Sequence, residues 1–391
     1  MTEALLIGSL LWVAYTFAGY PAMIWLVAKL RPRPNERAAI SPTVAIVIVA
    51  YNEAAGIASK IESCLQQMYA AARLRVVVAS DGSVDGTAEI ARRFEQQAVT
   101  LLDFSMRRGK AACLNDAIAA CHEEIIVLTD ARQRLAPDAV AKLVQNFADS
   151  SVGAASGELI FESGDSDFSG GVDAYWRYEK FIRRHEAIVH SVVGATGALY
   201  AIRRNEFEPI AQDTILDDVL VPMNIVLRGR RVVFDERALA FDRPAQHVVQ
   251  ERARKVRTLA GNFQLIAKYP HLLHPRRNPI FVQYFSHKVM RLIAPYALFL
   301  LLFSNALVVS RIHAADIYAW LLAAQLVCYA LAGIGILWPP LQRFRMIRLA
   351  AAFVVLNWFA VLGLLHFLRR NDAHLWSTAE TTRASTQRLG G

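Results

Sequence analysis

The sequence predicts a doubly wound α/β domain flanked by membrane-spanning helices. Three observations point there: apolar runs that end in polar residues, helical patterns alternating with those runs, and four apolar stretches near 20 residues long. The stretches are roughly Ala4–Leu30, Leu292–Val309, Ile317–Trp338 and Ile347–Leu368. Charges are nearly absent over the span that lipid requires.

The first stretch fits a signal peptide poorly. "MTEALL" holds Glu3 and no basic residue, and the run is too long for an h-region. Lys29, Arg31, Arg33 and Arg37 follow it, so the positive-inside rule places the polar region after it in the cytoplasm, under an inner (plasma) membrane. The domains expected are a span at 1–30, an α/β domain at 41–270, an interfacial helix at 277–296, further spans within 292–370 and a polar tail at 371–391. Four spans would put both termini outside, whereas Arg369 and Arg370 argue for an inside C-terminus.

The elements of the polar region read in order. "TVAIVIVAY" (43–51) has the continuous apolar character of a buried parallel strand. A helical pattern covers 56–68, "RVVVAS" (75–80) is the next strand, and a helix is expected from Asp85 to Gln97. A short strand follows near Val99–Leu102, then a helix over Lys110–Cys121, the strand "EIIVLTD" and a helix opened by Pro137. In such sheets ligands sit at the carboxyl ends of the strands. Tyr51, Asn52, Glu53, Asp81 and Asp130 stand there, more acids than packing needs.

Composition narrows the partners. The chain carries 43 basic and 34 acidic residues, net +9, with basic clusters beside the apolar stretches, which suits anionic lipid headgroups. No nucleic-acid motif accompanies that charge, so no nucleic-acid partner is expected. The four cysteines form no C-x-x-C pair and default to free thiols. About 250 polar residues are too many for a transporter loop. No G-x-G-x-x-G follows the first strand, and Phe104 and Ala111 break a P-loop around Gly109-Lys110. "HEAIVH" (185–190) is one residue too long for the zinc motif.

Six segments stand in order: "VIVAYNE" (47–53), "ASDGSVDGT" (79–87), "RRGKAACLN" (107–115), "LTDAR" (128–132), "VGATGALYAIRR" (193–204) and "LDDVLVP" (216–222). With these motifs in order, the chain resembles a membrane-bound family 2 glycosyltransferase of GT-A fold, similar to inverting polysaccharide synthases. The similarity runs from about Ser41 to Gly261. "VIVAYNE" (47–53) resembles the donor-binding first strand, "ASDGSVDGT" (79–87) the second nucleotide loop and "RRGKAACLN" (107–115) the G-K-x-x-x-L-N segment. "LTDAR" matches the Asp-x-Asp site in its first acid only, with Arg132 at the second. "VGATGALYAIRR" (193–204) resembles the acceptor-side segment and "LDDVLVP" (216–222) the stretch carrying the catalytic base.

The resemblance implies a nucleotide-diphosphate sugar donor, a UDP-sugar first among them. It implies a polysaccharide or lipid-linked acceptor at the cytoplasmic membrane face, with membrane lipids and export proteins as partners. Tyr51, Asn52, Glu53 and Asp81 would hold the nucleoside. Asp81 also reads as turn chemistry, and Asp85 as a cap for the next helix. Lys110 contacts the diphosphate or is a solvated charge. Gly194, Thr196 and Gly197 fall on the acceptor side. The resemblance puts the base at Asp218; Asp217 points about 100° away on a helix and caps it or orients a partner. Both acids also suit a helix N-terminus.

"ERARKVRTLAGN" (251–262) stands where processive members carry Q-x-x-R-W. Arg254, Lys255 and Arg257 would grip the diphosphate, or form a solvated basic face. Thr258 replaces the tryptophan, which implies short products. The cofactor expected is Mg²⁺ or Mn²⁺ on Asp130, weakened by Arg132, with His247 a weaker candidate ligand. The competing reading is a degenerate, non-catalytic partner of an exopolysaccharide export complex, with Arg132, Arg254 and Thr258 as marks of decay.

Overall fold

In a computed structural model of the chain, residues 1–162, 169–242, 248–311 and 316–369 are described. The remaining positions, which include His247 and the tail expected at 371–391, lie outside the described residues.

An eight-stranded sheet forms the centre: β1 (Val44–Ala50), β2 (Leu74–Asp81), β3 (Val99–Phe104), β4 (Ile125–Asp130), β5 (Arg134–Leu135), β6 (Val152–Phe161), β7 (Tyr200–Arg203) and β8 (Arg231–Asp242). Their order is β3-β2-β1-β4-β7-β6-β8-β5. The β3-β2-β1-β4 half is parallel, as the alternation predicts. Beyond β4 the sheet is mixed, since β7 runs antiparallel to both β4 and β6 while β6 and β8 are parallel.

The helices of the domain are α2 (Ile57–Leu65), α3 (Thr87–Arg92), α4 (Lys110–Ala119), α5 (Ala139–Gln145), α6 (Ser169–Val189), α7 (Asp217–Leu227) and α8 (Val248–Lys268); α1 (Thr2–Leu30) precedes them. Both faces of β1 are covered. Ala45, Val47 and Val49 join a core with α4, α7 and α8, and Val44, Ile46 and Ile48 join one with α2 and α5. A strand buried on both faces needs apolar side chains at every position, which explains its unbroken run.

Element boundaries differ where side chains compete with helix. The helix expected from Asp85 starts at Thr87, because Asp85 accepts the Thr87 N–H at 3.1 Å and the Ala54 N–H at 2.9 Å. The N-cap itself is Gly86, so Asp85 braces the turn just before the helix and is not the cap residue expected. The helix expected at Pro137 begins at Ala139.

Among the described residues, four helices are long and apolar enough to cross a membrane: α1, α9 (Phe281–Ser310), α10 (Ile317–Leu337 within its apolar span) and α11 (Arg345–Arg369). The segment 277–296 leads without a break into an apolar helix. From Phe281 it forms the first turns of α9 and packs inward. His287 is 2% exposed, with Nδ1 2.9 Å from Glu186 Oε1 and Nε2 3.0 Å from Glu179 Oε2; Arg291 also donates to Glu179. Tyr20 of α1 donates to Glu186 at 2.5 Å. The two glutamates of α6 give the basic residues of this segment buried partners, where sequence alone offers them only lipid headgroups.

The helix α8 lies between α11 and the site. A Cβ on Gly363 of α11 would stand 2.7 Å from Leu259 Cβ, and one on Gly261 would stand 2.5 Å from Leu216 Cγ. Leu216 directly precedes the Asp217–Asp218 pair. Gly261→Ala therefore forces a shift at Leu216, at a cost of about 1–3 kcal/mol. We expect a lower thermal midpoint in detergent and reduced turnover; an unchanged midpoint and rate would remove this contact from the account.

Candidate active site

The site gathers at the carboxyl ends of β1 and β4, the start of α4 and the start of α7. Gly109 has φ +95°, a conformation open to glycine, and aims the first turn of α4 back at the sheet. Lys110 follows it. Its Nζ lies 2.8 Å from Asp130 Oδ1 and 3.1 Å from Asp217 Oδ2, so Lys110 is an ion-paired bridge and not a solvated charge. Burial opposes its charge, yet Asp130, Asp217 and Asp218 outweigh that and hold the ammonium above the ordinary lysine range. Asp130 responds in kind: burial raises it, and Lys110 brings it below the usual carboxylate range.

Asp217 and Asp218 divide the work, as their angular separation on α7 requires. Asp217 is 5% exposed and orients Lys110. Asp218 Oδ2 accepts the Gly197 N–H at 3.2 Å. Burial, followed by the charge of Asp217, pushes Asp218 up to about 6, with Lys110 and Lys288 pulling the other way. Both acids reach the same centre. The Gly197 carbonyl accepts the Asp130 N–H at 3.1 Å, and a Cβ on Gly197 would stand 3.3 Å from Asp130 Oδ2 and 3.4 Å from Asp218 Oδ2. Gly197 thus keeps open the space between the two carboxylates. Thr196 is fixed through its N–H to Ser156 Oγ at 3.1 Å, and Gly194, at φ +80°, packs its Cα side against Val219.

The nucleoside-side residues cluster around the β1 and β2 ends. Asn52, at φ +51°, accepts the Val84 N–H at 3.0 Å, and the Glu53 N–H donates to Thr87 Oγ1 at 2.8 Å. The Glu53 carboxyl is pushed up to about 7, by burial against the opposing charge of Arg132. Arg107 lies 4.0 Å over the Tyr51 ring. Asp81 is fully buried, accepting the Arg108 N–H at 2.6 Å and the Gly109 N–H at 3.0 Å. In this structure the residue anchors the loop that leads into α4.

Of the basic residues on α8, Arg257 faces the centre. Burial works against its charge while Asp217, Asp218 and Asp130 support it. Arg254 pairs with Glu251 at 2.5 Å, and Lys255 lies 5.3 Å over the Tyr175 ring, so these two stand at the edge of the site.

Sequence reasoning missed four residues. Lys60, 3% exposed, donates to Thr129 Oγ1 and to the Gln133 carbonyl, each at 2.7 Å, and so ties down the "TDARQ" turn from below. Its signal was a lysine amid Ile57, Ile61 and Cys64 on the apolar face of α2. Asp242 takes the Arg132 guanidinium at 2.8 Å. Arg183 donates to Ser156 Oγ at 2.7 Å, and Tyr200 buries a hydroxyl that has no partner among the described residues, beside Lys110 and Asp217. No local pattern marked these three, because each acts across the fold.

A divalent ion fits this donor set in one way. Asp130 Oδ1 is engaged by Lys110, which leaves Oδ2 facing the space at Gly197. Among the described residues no group of three His, Cys, Asp or Glu side chains could hold an ion by itself. Magnesium is commonly held by one or two carboxylates with phosphates and waters, so one open carboxylate oxygen suffices only when a diphosphate supplies the rest.

Sequence and fold comparisons place the chain among known proteins. The sequence profile of Glycosyl transferase family 2 matches residues 45–208. An N-acetylglucosaminyltransferase of Rhizobium leguminosarum bv. trifolii is 31% identical over 124 residues, 30% of this chain and 68% of that protein. The chain belongs to glycosyl transferase family 2. This family 2 chain is also similar to the poly-beta-1,6-N-acetyl-D-glucosamine synthase of Staphylococcus epidermidis, at 21% identity over 232 residues, 58% of this chain and 56% of the synthase. The match thus spans little more than half of that relative. A mannosyltransferase, PcManGT from Pyrobaculum calidifontis, solved in complex with GDP-Man and Mn²⁺, superposes with a TM-score of 0.70 at 23% identity, over 94% of this chain and 99% of that one. The family 2 domain therefore has the GT-A fold, with four candidate membrane helices around it.

Proposed function

We propose that this family 2 glycosyltransferase moves a sugar from a nucleotide-diphosphate sugar, in first place a UDP-sugar, to a polysaccharide or lipid-linked acceptor. The transfer takes place at the cytoplasmic face of the plasma membrane, with inversion at the anomeric carbon. The observation that carries the reading is the Lys110 bridge between Asp130 and Asp217 with Asp218 beside it. A part-buried lysine between two acids adds little net stability, since apolar residues of similar volume hold such a place as well or better, so its retention points to use. This favours an enzyme over a non-catalytic partner of an export complex.

The residues divide the reaction among them. Asp218, ionised above about pH 6, takes the proton of the acceptor hydroxyl. The oxygen attacks the anomeric carbon from the face opposite the diphosphate, the bond from that carbon to the phosphate oxygen breaks, and the nucleoside diphosphate leaves. Lys110 and Arg257 supply positive charge where the leaving group gains negative charge. Asp217 holds Lys110 on that side, and Gly197 keeps the path between Asp130 and Asp218 clear. Tyr51, Asn52 and Glu53 line the nucleoside side. Without a tryptophan at position 258 the acceptor lacks an aromatic platform, in keeping with short products.

Asp130 Oδ2 would hold Mg²⁺ or Mn²⁺, which when bound would offset charge on the diphosphate. We expect exhaustive chelation to stop transfer and added Mg²⁺ or Mn²⁺ to restore it, with the ion binding tightly only in the presence of nucleoside diphosphate. Calorimetric titration of the ion with and without the nucleotide, alongside the rate, checks both. Transfer that persists after chelation and vanishes in Arg132→Ala would replace the ion with the arginine.

A further inference from the structure

We propose that Asp242 is a positioning residue that holds Arg132 and Arg254 together as a clamp on the donor's diphosphate. The inference rests on the reading of the donor as a nucleotide-diphosphate sugar. Asp242 closes β8 and is 4% exposed. Its Oδ2 accepts Arg132 Nη2 at 2.8 Å and Gln133 Nε2 at 3.0 Å, and Arg254 Nη1 lies 3.8 Å from the same oxygen. One buried carboxylate thus holds a guanidinium from the turn after β4 and attracts a second from α8, whose other end Glu251 holds at 2.5 Å.

The geometry leaves donors to spare. The Arg132 side chain is 47% exposed while its acid partner is covered, and among the described residues only its Nη2 donates to a protein group. Guanidinium groups bind phosphate oxygens through such paired donors. The turn that carries Arg132 is fixed from beneath. Lys60 holds Thr129 Oγ1 and the Gln133 carbonyl, and Thr129 Oγ1 itself donates to the Ala198 carbonyl at 2.6 Å. Position 132 is also where the related Asp-x-Asp pattern places its second acid. An acid there would serve a cation, whereas a held guanidinium contacts the anion directly. Asp242 is the residue that makes this exchange workable, because a free arginine side chain gives up substantial rotamer entropy on binding.

Charge and position predict opposite signs for one substitution. Asp242→Asn raises the local positive charge. If Asp242 only offset the arginines, a diphosphate would bind this variant more tightly. If Asp242 positions them, it binds more weakly. The full-length chain in detergent, with Mg²⁺ present throughout, is titrated with UDP and UMP, and with GDP and GMP as a second pair. The clamp acts on the second phosphate, so the ratio of diphosphate to monophosphate affinity reads it.

We expect Asp242→Asn to lower diphosphate affinity about tenfold and to leave the monophosphate nearly unchanged. Arg132→Gln should do the same, the double variant should lose little more, and Asp242→Glu should recover part of the ratio. Tighter or unchanged diphosphate binding in Asp242→Asn overturns the proposal. Should that variant not fold, Arg132→Lys keeps the charge and loses the fork, and an unchanged ratio there overturns it equally. If the unaltered chain binds neither pair, the donor reading fails first and takes the clamp with it.

Discussion

Asp218→Asn is expected to abolish transfer while leaving donor affinity within a few-fold. Asparagine keeps the shape of the side chain and an oxygen to accept the Gly197 N–H, now 3.2 Å away, so the acceptor-side turn should stay in place. What is lost is the ability to take a proton. A positioned general base contributes on the order of 10²–10⁴-fold to rate, and the loss should fall in that range or beyond. The unaltered enzyme should show the matching pH dependence. Asp218 sits up at about 6 through burial and its neighbour Asp217, so turnover should rise with pH as that carboxyl ionises and level off above it. Calorimetric titration of the donor nucleotide and the pH profile of turnover check both parts. Near-normal turnover in the asparagine variant would end the assignment.

Lys110→Met should have the next largest effect, and it should act on several properties together. The substitution leaves Asp130 and Asp217 without the cation between them. Breaking a buried pair by removing one partner costs about 3–5 kcal/mol, and the part-exposed Asp130 side chain moves the expected loss toward the lower end. Lys110 also lowers the Asp218 carboxyl, so without it that group titrates higher and the rising limb of the pH profile moves to higher pH. Donor affinity should fall as well, since Lys110 supplies charge on the diphosphate side. Thermal unfolding, the pH profile and nucleotide titration in the same variant test the account. A variant with weakened donor binding but an unmoved limb would separate Lys110 from the base.

The parts of this site legible in the sequence are those set by local chemistry. An acid at the end of an apolar run is forced to the sheet's edge, and this placed Asp130 and Asp81. The glycine before Lys110 and the paired acids before "VLVP" announced two helix starts. The strands β6, β7 and β8 were harder to see, because their half of the sheet is mixed and follows no strand–helix rhythm. Asp81 shows the limit of a strand-end argument. Its position was legible, but not that it would accept the backbone amides of Arg108 and Gly109. Residues such as Asp242 and Arg183 carry no local mark. They matter through partners far along the chain, Arg132 and Ser156, and only folding brings those together.

The same limit applies to the membrane-proximal segment at 277–296. Its mix of apolar and basic residues reads as a surface lying on lipid. The two glutamates that draw His287 and Arg291 inward come from α6, about a hundred residues earlier.

The most direct measurement is release of free nucleoside diphosphate by the purified full-length chain in detergent, from a panel of UDP- and GDP-sugars with chain-matched lipid and oligosaccharide acceptors. The account predicts that at least one nucleotide sugar gives up its diphosphate in an acceptor-stimulated reaction, and that Asp218→Asn loses the release while still binding that nucleotide. Binding of nucleotide sugars without release under any acceptor, or release that Asp218→Asn leaves intact, would contradict it.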